Sequence, residues 1–346
     1  MKQFDVETVR QSIQNLKGSM SKGKLVVSVL MAEPGQRVDG HLKVGTMPDG
    51  TAVRLPIVLI NGAKQGKTLY VQSISDGDEL NGIAVLHEVL RRVRPANLRG
   101  RIIAVPIVNF HAFHAKQAHS PVDNVKMNRC FPGKPNGTSS ERIAHRLFSS
   151  AIRQADYCID IHQGGIHPMV DEVRVRVGED HPQHDASLEL ARVFGIGYIL
   201  DQKGPEGQLA QAAPEVGIPT IDPELGGCQG WDATSIEKGV RGVLNVLKYY
   251  DFIDGIAQIP DHQVIVKRFV TLLSNEGGFV YYKVKLYERV EAYQPIARIC
   301  DAFGHQRAVI RAPESGIFWS HPAYPMVASG ESIGKIGIVA SNTISK

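Results

Sequence analysis

Leu69-Tyr-Val-Gln-Ser-Ile-Ser-Asp76-Gly-Asp-Glu79-Leu-Asn-Gly82 reads as an apolar strand that turns, through small and acidic residues, into a helix. Thr68 to Ser73 is strand-like, and Leu80, Ile83, Leu86, Leu90 and Val93 then recur every three or four residues, as one buried helix face requires. The junction places two carboxylates three positions apart where a strand ends, and open α/β sheets gather ligands at the carboxyl ends of their strands. Working outward, Ile102-Ile-Ala-Val-Pro-Ile-Val108 is the nearly continuous apolar run of a strand covered on both faces. Thr138-Ser-Ser-Glu141 is a capping-box sequence that opens a second amphipathic helix, with Ile143, Leu147, Phe148, Ala151 and Ile152 on one side. Tyr157 to Ile161 and Ile218 to Leu225 read as further strands. This alternation argues for an α/β fold, a mixed sheet with helices on both faces.

Residues before about 60 read as a short helical start followed by β-rich segments, Lys24–Leu30 and Val53–Ile60. After Ile259 helix periodicity is lost. Short β-like segments follow one another between turns, as in Phe279–Val284, Ala308–Arg311 and Gly316–Trp319. The expected organisation is a catalytic unit over residues 1–258 and a small C-terminal all-β domain over 259–346.

A chain of 346 residues, 43% hydrophobic and 21% charged, has enough apolar material for one large core and a smaller second one. The formal charge of +4 is spread among mixed signs without a basic tract. Nucleic-acid and membrane partners are therefore not expected, and a small molecule is. Cys130, Cys158, Cys228 and Cys300 are widely spaced with no Cys-x-x-Cys pair, which suits reduced thiols. The first residues carry no apolar signal segment and no run is long enough to cross a bilayer, so the cytoplasm is the expected compartment.

Three constellations carry chemistry. Asp76, Glu79 and His162, the last ending the Tyr157–Ile161 strand, are hard and borderline donors suited to Zn²⁺, with Mn²⁺ or Fe²⁺ as alternatives. Taken singly, the two acids read equally as helix N-terminal charges and His162 as a core histidine. Asn128 and Arg129 stand side by side, and the arginine fork can grip a substrate carboxylate. Glu224 ends a β-like segment ahead of Gly226 and Gly227, where a carboxylate could serve as a general base.

The order Asp76-Gly-Asp-Glu79-Leu-Asn-Gly, Asn109 to Phe113, Asn128-Arg129-Cys-Phe-Pro-Gly133, Asp160-Ile-His162 and Glu224-Leu-Gly-Gly227 resembles the succinylglutamate desuccinylase/aspartoacylase family of zinc-carboxypeptidase-like hydrolases. The likeness runs from roughly Pro56 to Phe252. It implies one Zn²⁺ at Asp76, Glu79 and His162, a substrate carboxylate on Arg129 and Asn128, Glu224 as base, and cleavage of an amide joining an acyl group to an amino acid. The expected partner is a small carboxylated amide; a carboxypeptidase or a diaminobutyrate-type deacetylase would use the same site, and a non-catalytic binding protein is the rival from another class. The β-rich tail reads as a structural or lid domain, or as a contact in a homo-oligomer.

Two positions depart from the family pattern. The family usually has His-Gly-x-Glu where this chain has Asp76-Gly-Asp-Glu79, which adds a negative charge and shifts the expected preference toward harder ions such as Mn²⁺. Members often carry an Arg near the position of Ala118, where it polarises the scissile carbonyl. His114, Lys116 and His119 are the nearby cationic candidates here. Cys130, beside Arg129, is a candidate pocket residue.

Overall fold

The computed structural model describes residues 23–228 and 230–340 and the backbone of 344–345; the helical start expected at the N-terminus lies outside the described residues. The expected Lys24–Leu30 strand is instead a hairpin of β1 (Leu25–Val27) and β2 (Leu30–Ala32), because Ser28 takes a left-handed φ of 57° and reverses the chain. The strands β3 (Gln36–Thr46), β4 (Ala52–Asn61), β5 (Lys64–Ser73), β6 (Arg99–Val105), β7 (Tyr157–Ile161), β8 (Glu172–Val175), β9 (Tyr198–Asp201), β10 (Thr220–Glu224) and β11 (His262–Leu273) follow. They lie side by side in the order β3-β4-β6-β5-β7-β10-β8-β9-β11, in one mixed sheet of thirteen strands. Around the centre β5 runs parallel to β6 and β7, and β7 parallel to β10, whereas β8 is antiparallel to β10.

Helices cover both faces, as the alternation requires. On one side α1 (Asn81–Arg92), α4 (His184–Phe194) and α6 (Ala233–Tyr249) bury Leu86, Leu190 and Val243 against Leu69, Val71, Ile159 and Val173. On the other, α3 (Ser139–Ser150) and the short α5 (Leu209–Ala212) pack Leu147 and Leu209 with Tyr70, Ile103 and Cys158. Thr138 caps α3 in a complete capping box with Glu141, as the sequence predicts. The remaining helix, α2 (Phe110–Ala115), is a short piece capped by Asn109. The strands β8 and β9 gave no legible signal: each is four residues long and carries charge within or beside its apolar positions.

Successive strand residues point to opposite faces, so Leu69 and Val71 go to the α1 side and Tyr70 and Gln72 to the α3 side. Near the strand ends the α3 side turns polar. Gln72 stands opposite Asp160, Asp222 opposite Arg174, and Glu224 opposite both His162 and Glu172. All seven are buried or nearly so.

The sheet runs on across residue 259. Val264 to Val266 pair in parallel with β9, and the rest of β11 pairs antiparallel with Ser332–Val339. Beyond this seam the C-terminal strands have a core of their own around Val280, Ile296, Ile299, Phe318 and Ile336. Trp319 fills the seam: it is 1% exposed, clusters with Val170, Leu200 and Val266, and meets the Tyr198 and Phe269 rings at centroid distances of 5.5 Å. Trp319→Ala should therefore lower stability in urea denaturation by about 3–5 kcal/mol, the usual cost of emptying a large aromatic site.

Candidate metal and active site

The turn after β5 is shaped by close backbone contacts. Ile74 sits at φ 57°, a costly conformation for a β-branched residue, and its carbonyl accepts from Asn109 N at 3.0 Å. A Cβ on Gly77 would lie 2.1 Å from the Ala112 carbonyl carbon, so only glycine lets α2 sit against this turn. Glu79 lies ahead of α1, which starts at Asn81, and not in its first turn. The first free amide of the helix, Asn81 N, is taken by Gln163 Oε1 at 2.9 Å. Glu79 is thereby free to face His162, and its Oε2 is 3.0 Å from His162 Nδ1 and accepts from Gln163 N at 3.1 Å.

The other edge of the imidazole is fixed separately. His162 Nε2 is 3.1 Å from Asp160 Oδ2 and 3.7 Å from Asp222 Oδ1. Asp160 is itself held, since its Oδ1 accepts from Gln72 Nε2 at 2.9 Å and from Ser75 Oγ at 3.1 Å. Both ring nitrogens of His162 therefore face carboxylates, Nδ1 toward Glu79 and Nε2 toward Asp160; burial works against the imidazolium charge, but Asp160, Asp222 and Glu79 more than restore it.

Glu224 projects from the end of β10. Its Oε1 is 2.6 Å from Arg174 Nη1, and the same guanidinium holds Glu172 Oε1 at 2.7 Å. Arg174 is a half-buried cation among three acids that sequence reading did not single out; Glu-Val-Arg-Val-Arg, with charges on alternate positions of a short strand, was the available signal. Asp76 pairs with Lys126, whose Nζ lies 2.8 Å from Asp76 Oδ2, while Asp76 Oδ1 is buried without a partner. Burial works against the Lys126 charge, but Asp76 and Glu79 more than restore it. Asn128 is buried with a free Oδ1, and Arg129 is exposed, its Nη1 donating to Asn128 O at 2.7 Å. Arg129 is close enough to Lys126 for the two charges to repel.

His114, Lys116 and His119 are exposed, and His114 bonds only its own helix at Phe110 O. None bonds the acids among the described residues, because α2 carries them away from the strand ends. Cys130 is buried in the core beside α3, with Sγ on Lys126 O, and so packs instead of lining a pocket.

The acids gathered around His162 are a donor cluster that could hold a metal ion. Burial, helped by the fields of Asp76 and Glu224 and opposed by His162, pushes Glu79 up to about 8. Burial likewise lifts Asp222 to about 6. Two buried acids that resist ionisation, with Asp76 Oδ1 and Asp222 Oδ1 both unpartnered, mark a site with more carboxylate than its own cations balance. His162, Asp222 and Glu224 bring one ligand atom each within 4.8 Å of the others. Among the described residues this is the set whose ligand atoms all lie that close; Glu79 meets His162 on its other nitrogen, and Asp76 is not in the set.

A family model for the succinylglutamate desuccinylase/aspartoacylase catalytic domain matches residues 65–250, more than half of the chain. The N-alpha-acetyl-L-2,4-diaminobutyric acid deacetylase of Halomonas elongata is 28% identical over 315 residues, covering 88% of this chain and 92% of that one. Among solved structures, a succinylglutamate desuccinylase from Silicibacter sp. TM1040 superposes with a TM-score of 0.82 at 28% identity, over 93% of this chain and all of the other. The product-bound ectoine utilization protein EutE (DoeB) from Ruegeria pomeroyi also gives 0.82, at 26% identity over 92% of this chain and 100% of its own. The chain belongs to the succinylglutamate desuccinylase/aspartoacylase family, whose members hydrolyse acyl groups from amino acids.

Proposed function

We propose that this protein is a cytoplasmic metal-dependent deacylase that cleaves the amide bond of an N-acyl amino acid or a similar small carboxylated amide. The ion, Zn²⁺ with Mn²⁺ as the alternative, would be held by Asp76, Glu79 and His162. The observation that carries this reading is the contact of Glu79 with His162 Nδ1 while Asp160 occupies Nε2. When bound, the ion would supply Lewis acidity to the amide carbonyl.

The chain's own residues account for the remaining steps. Arg129, an exposed planar fork next to Asn128, would bind the substrate carboxylate through paired hydrogen bonds. Glu224, held at the end of β10 by Arg174, would take a proton from the attacking water and hand it to the amine nitrogen as the carbon–nitrogen bond breaks. Arg174 orients that carboxylate and keeps a half-buried charge balanced on both sides. Asp160 would hold the imidazole in the tautomer that leaves Nδ1 free. Residues 1–258 would form the catalytic unit, and 259–346 the small β-rich domain that abuts it through β11.

The amide to try first is an acetylated diamino acid, since the Halomonas relative is named for N-alpha-acetyl-L-2,4-diaminobutyric acid. A panel of acetyl, succinyl and formyl amino acids, run beside dipeptides, should show metal-dependent release of free amino acid from one acyl class. Turnover of dipeptides alone would make the protein a carboxypeptidase, and tight binding without any turnover would make it a binding protein. In Glu224→Gln, metal content should stay near wild type while kcat falls by about 10²- to 10⁴-fold; an unchanged rate would remove the glutamate from its role. Asp160→Asn should weaken metal binding by about 10- to 100-fold in a competition titration, because the imidazole loses the group that orients it.

A further inference from the structure

Asp76 is one of the two positions at which this chain departs from the family pattern, and it is the acid of the site with a lysine partner. Lys126 Nζ lies 2.8 Å from Asp76 Oδ2. The other oxygen, Oδ1, is buried and bonded to nothing. The carboxylate is therefore divided: one oxygen is paired with a half-buried lysine, and the other is unpaired, while the field of Asp76 reaches Glu79.

The lysine is placed there by the fold. Met127, the next residue, is fully buried, and the Lys126 carbonyl accepts both from Arg129 N at 3.1 Å and from Cys130 Sγ at 3.3 Å. The backbone from which the side chain reaches Asp76 is thus anchored in the core beneath α3. The other cations near this turn, His114, Lys116 and His119, are exposed and bond none of the acids.

The charge balance follows by counting. A site of two imidazoles and one carboxylate brings one negative charge to a metal; two carboxylates and one imidazole bring two. An Asp⁻–Lys⁺ pair is neutral as a unit, as an imidazole is, and its free oxygen is still a donor. We infer that Lys126 is a built-in counter-charge that makes the Asp76 carboxylate the electrostatic equivalent of a neutral histidine ligand, so that the metal keeps the net charge environment of a two-imidazole site. The inference rests on the proposal that Asp76, Glu79 and His162 hold the metal. It makes Lys126 a positioning residue, and it offsets the shift toward harder ions that the aspartate alone would bring.

The test is a double-mutant cycle read by metal affinity and not by turnover. Zn²⁺ and Mn²⁺ are titrated into the metal-stripped full-length protein, with a fluorescent chelator as competitor, for wild type, Asp76→His, Lys126→Met and the double variant. Asp76→His leaves Lys126 unpaired beside the ion and should weaken Zn²⁺ binding by at least about tenfold, whereas the double variant should return to within about threefold of wild type, a strong coupling for neighbouring residues. Lys126→Met alone should raise Mn²⁺ affinity relative to Zn²⁺, and Lys126→Arg, which keeps the charge, should not. Circular dichroism of the stripped proteins checks folding, and Lys126→Gln replaces Lys126→Met if the latter fails to fold. One tightly bound ion in wild type combined with simply additive effects of the two substitutions would overturn the role of Lys126 while leaving the metal site standing. No bound ion in wild type would overturn both.

Discussion

Asp160 is the fixed point of the active face. It is buried, its Oδ1 is held by Gln72 and Ser75, and its Oδ2 faces His162 Nε2. A buried carboxylate is tolerated only where such partners replace water, and the partners here come from β5, from the turn after it, and from the residue that follows β7. The orientation of His162 follows, and with it the contact of Nδ1 with Glu79. Without Asp160 the imidazole could turn over and present either nitrogen, and the acids around it would lose a common focus.

A second constraint lies one strand further along. Arg174 is the half-buried cation between Glu172 and Glu224, so the base candidate stands within a polar row that runs across β5, β7, β10 and β8. Such rows are costly to assemble, because each charge must give up its hydration, and they are costly to break once assembled. Their worth to the protein is positional. The row fixes a carboxylate near an imidazole to within hydrogen-bond tolerances on rigid strand ends, which is the precision that hydrolysis of an unactivated amide demands. β8 runs antiparallel to β10 and parallel to β9, and its pairing with β10 brings Arg174 opposite Asp222.

Much of this was legible in the chain. Leu69 to Gly82, Thr138 to Glu141 and Tyr157 to His162 announced their elements because strand alternation, capping chemistry and helix spacing are local properties. Glu79, His162 and Glu224 could be singled out because each ends a readable strand or begins a readable turn. The hairpin at Ser28 was misread as one strand, since a single left-handed residue interrupts an otherwise continuous apolar run. Strands as short as β8 and β9 left no pattern above their charged neighbours. Cys130 looked like a pocket residue by adjacency to Arg129, but a 3-10 turn over Met127–Arg129 points it into the core.

The sequence by itself determined the class of fold, the kinds of donor available and the family to which they belong, because these depend on residue type and near-neighbour spacing. Tertiary structure decided the pairings: Lys126 with Asp76 across 50 residues, Asp160 with Gln72 across 88, and Arg174 with Glu224 across the β8–β10 ladder. It also decided that residues 259 onward extend the same sheet through β11. A charge has no local signature that names its partner, since electrostatic contacts are set by strand order and register, and those are fixed only when the whole chain has packed.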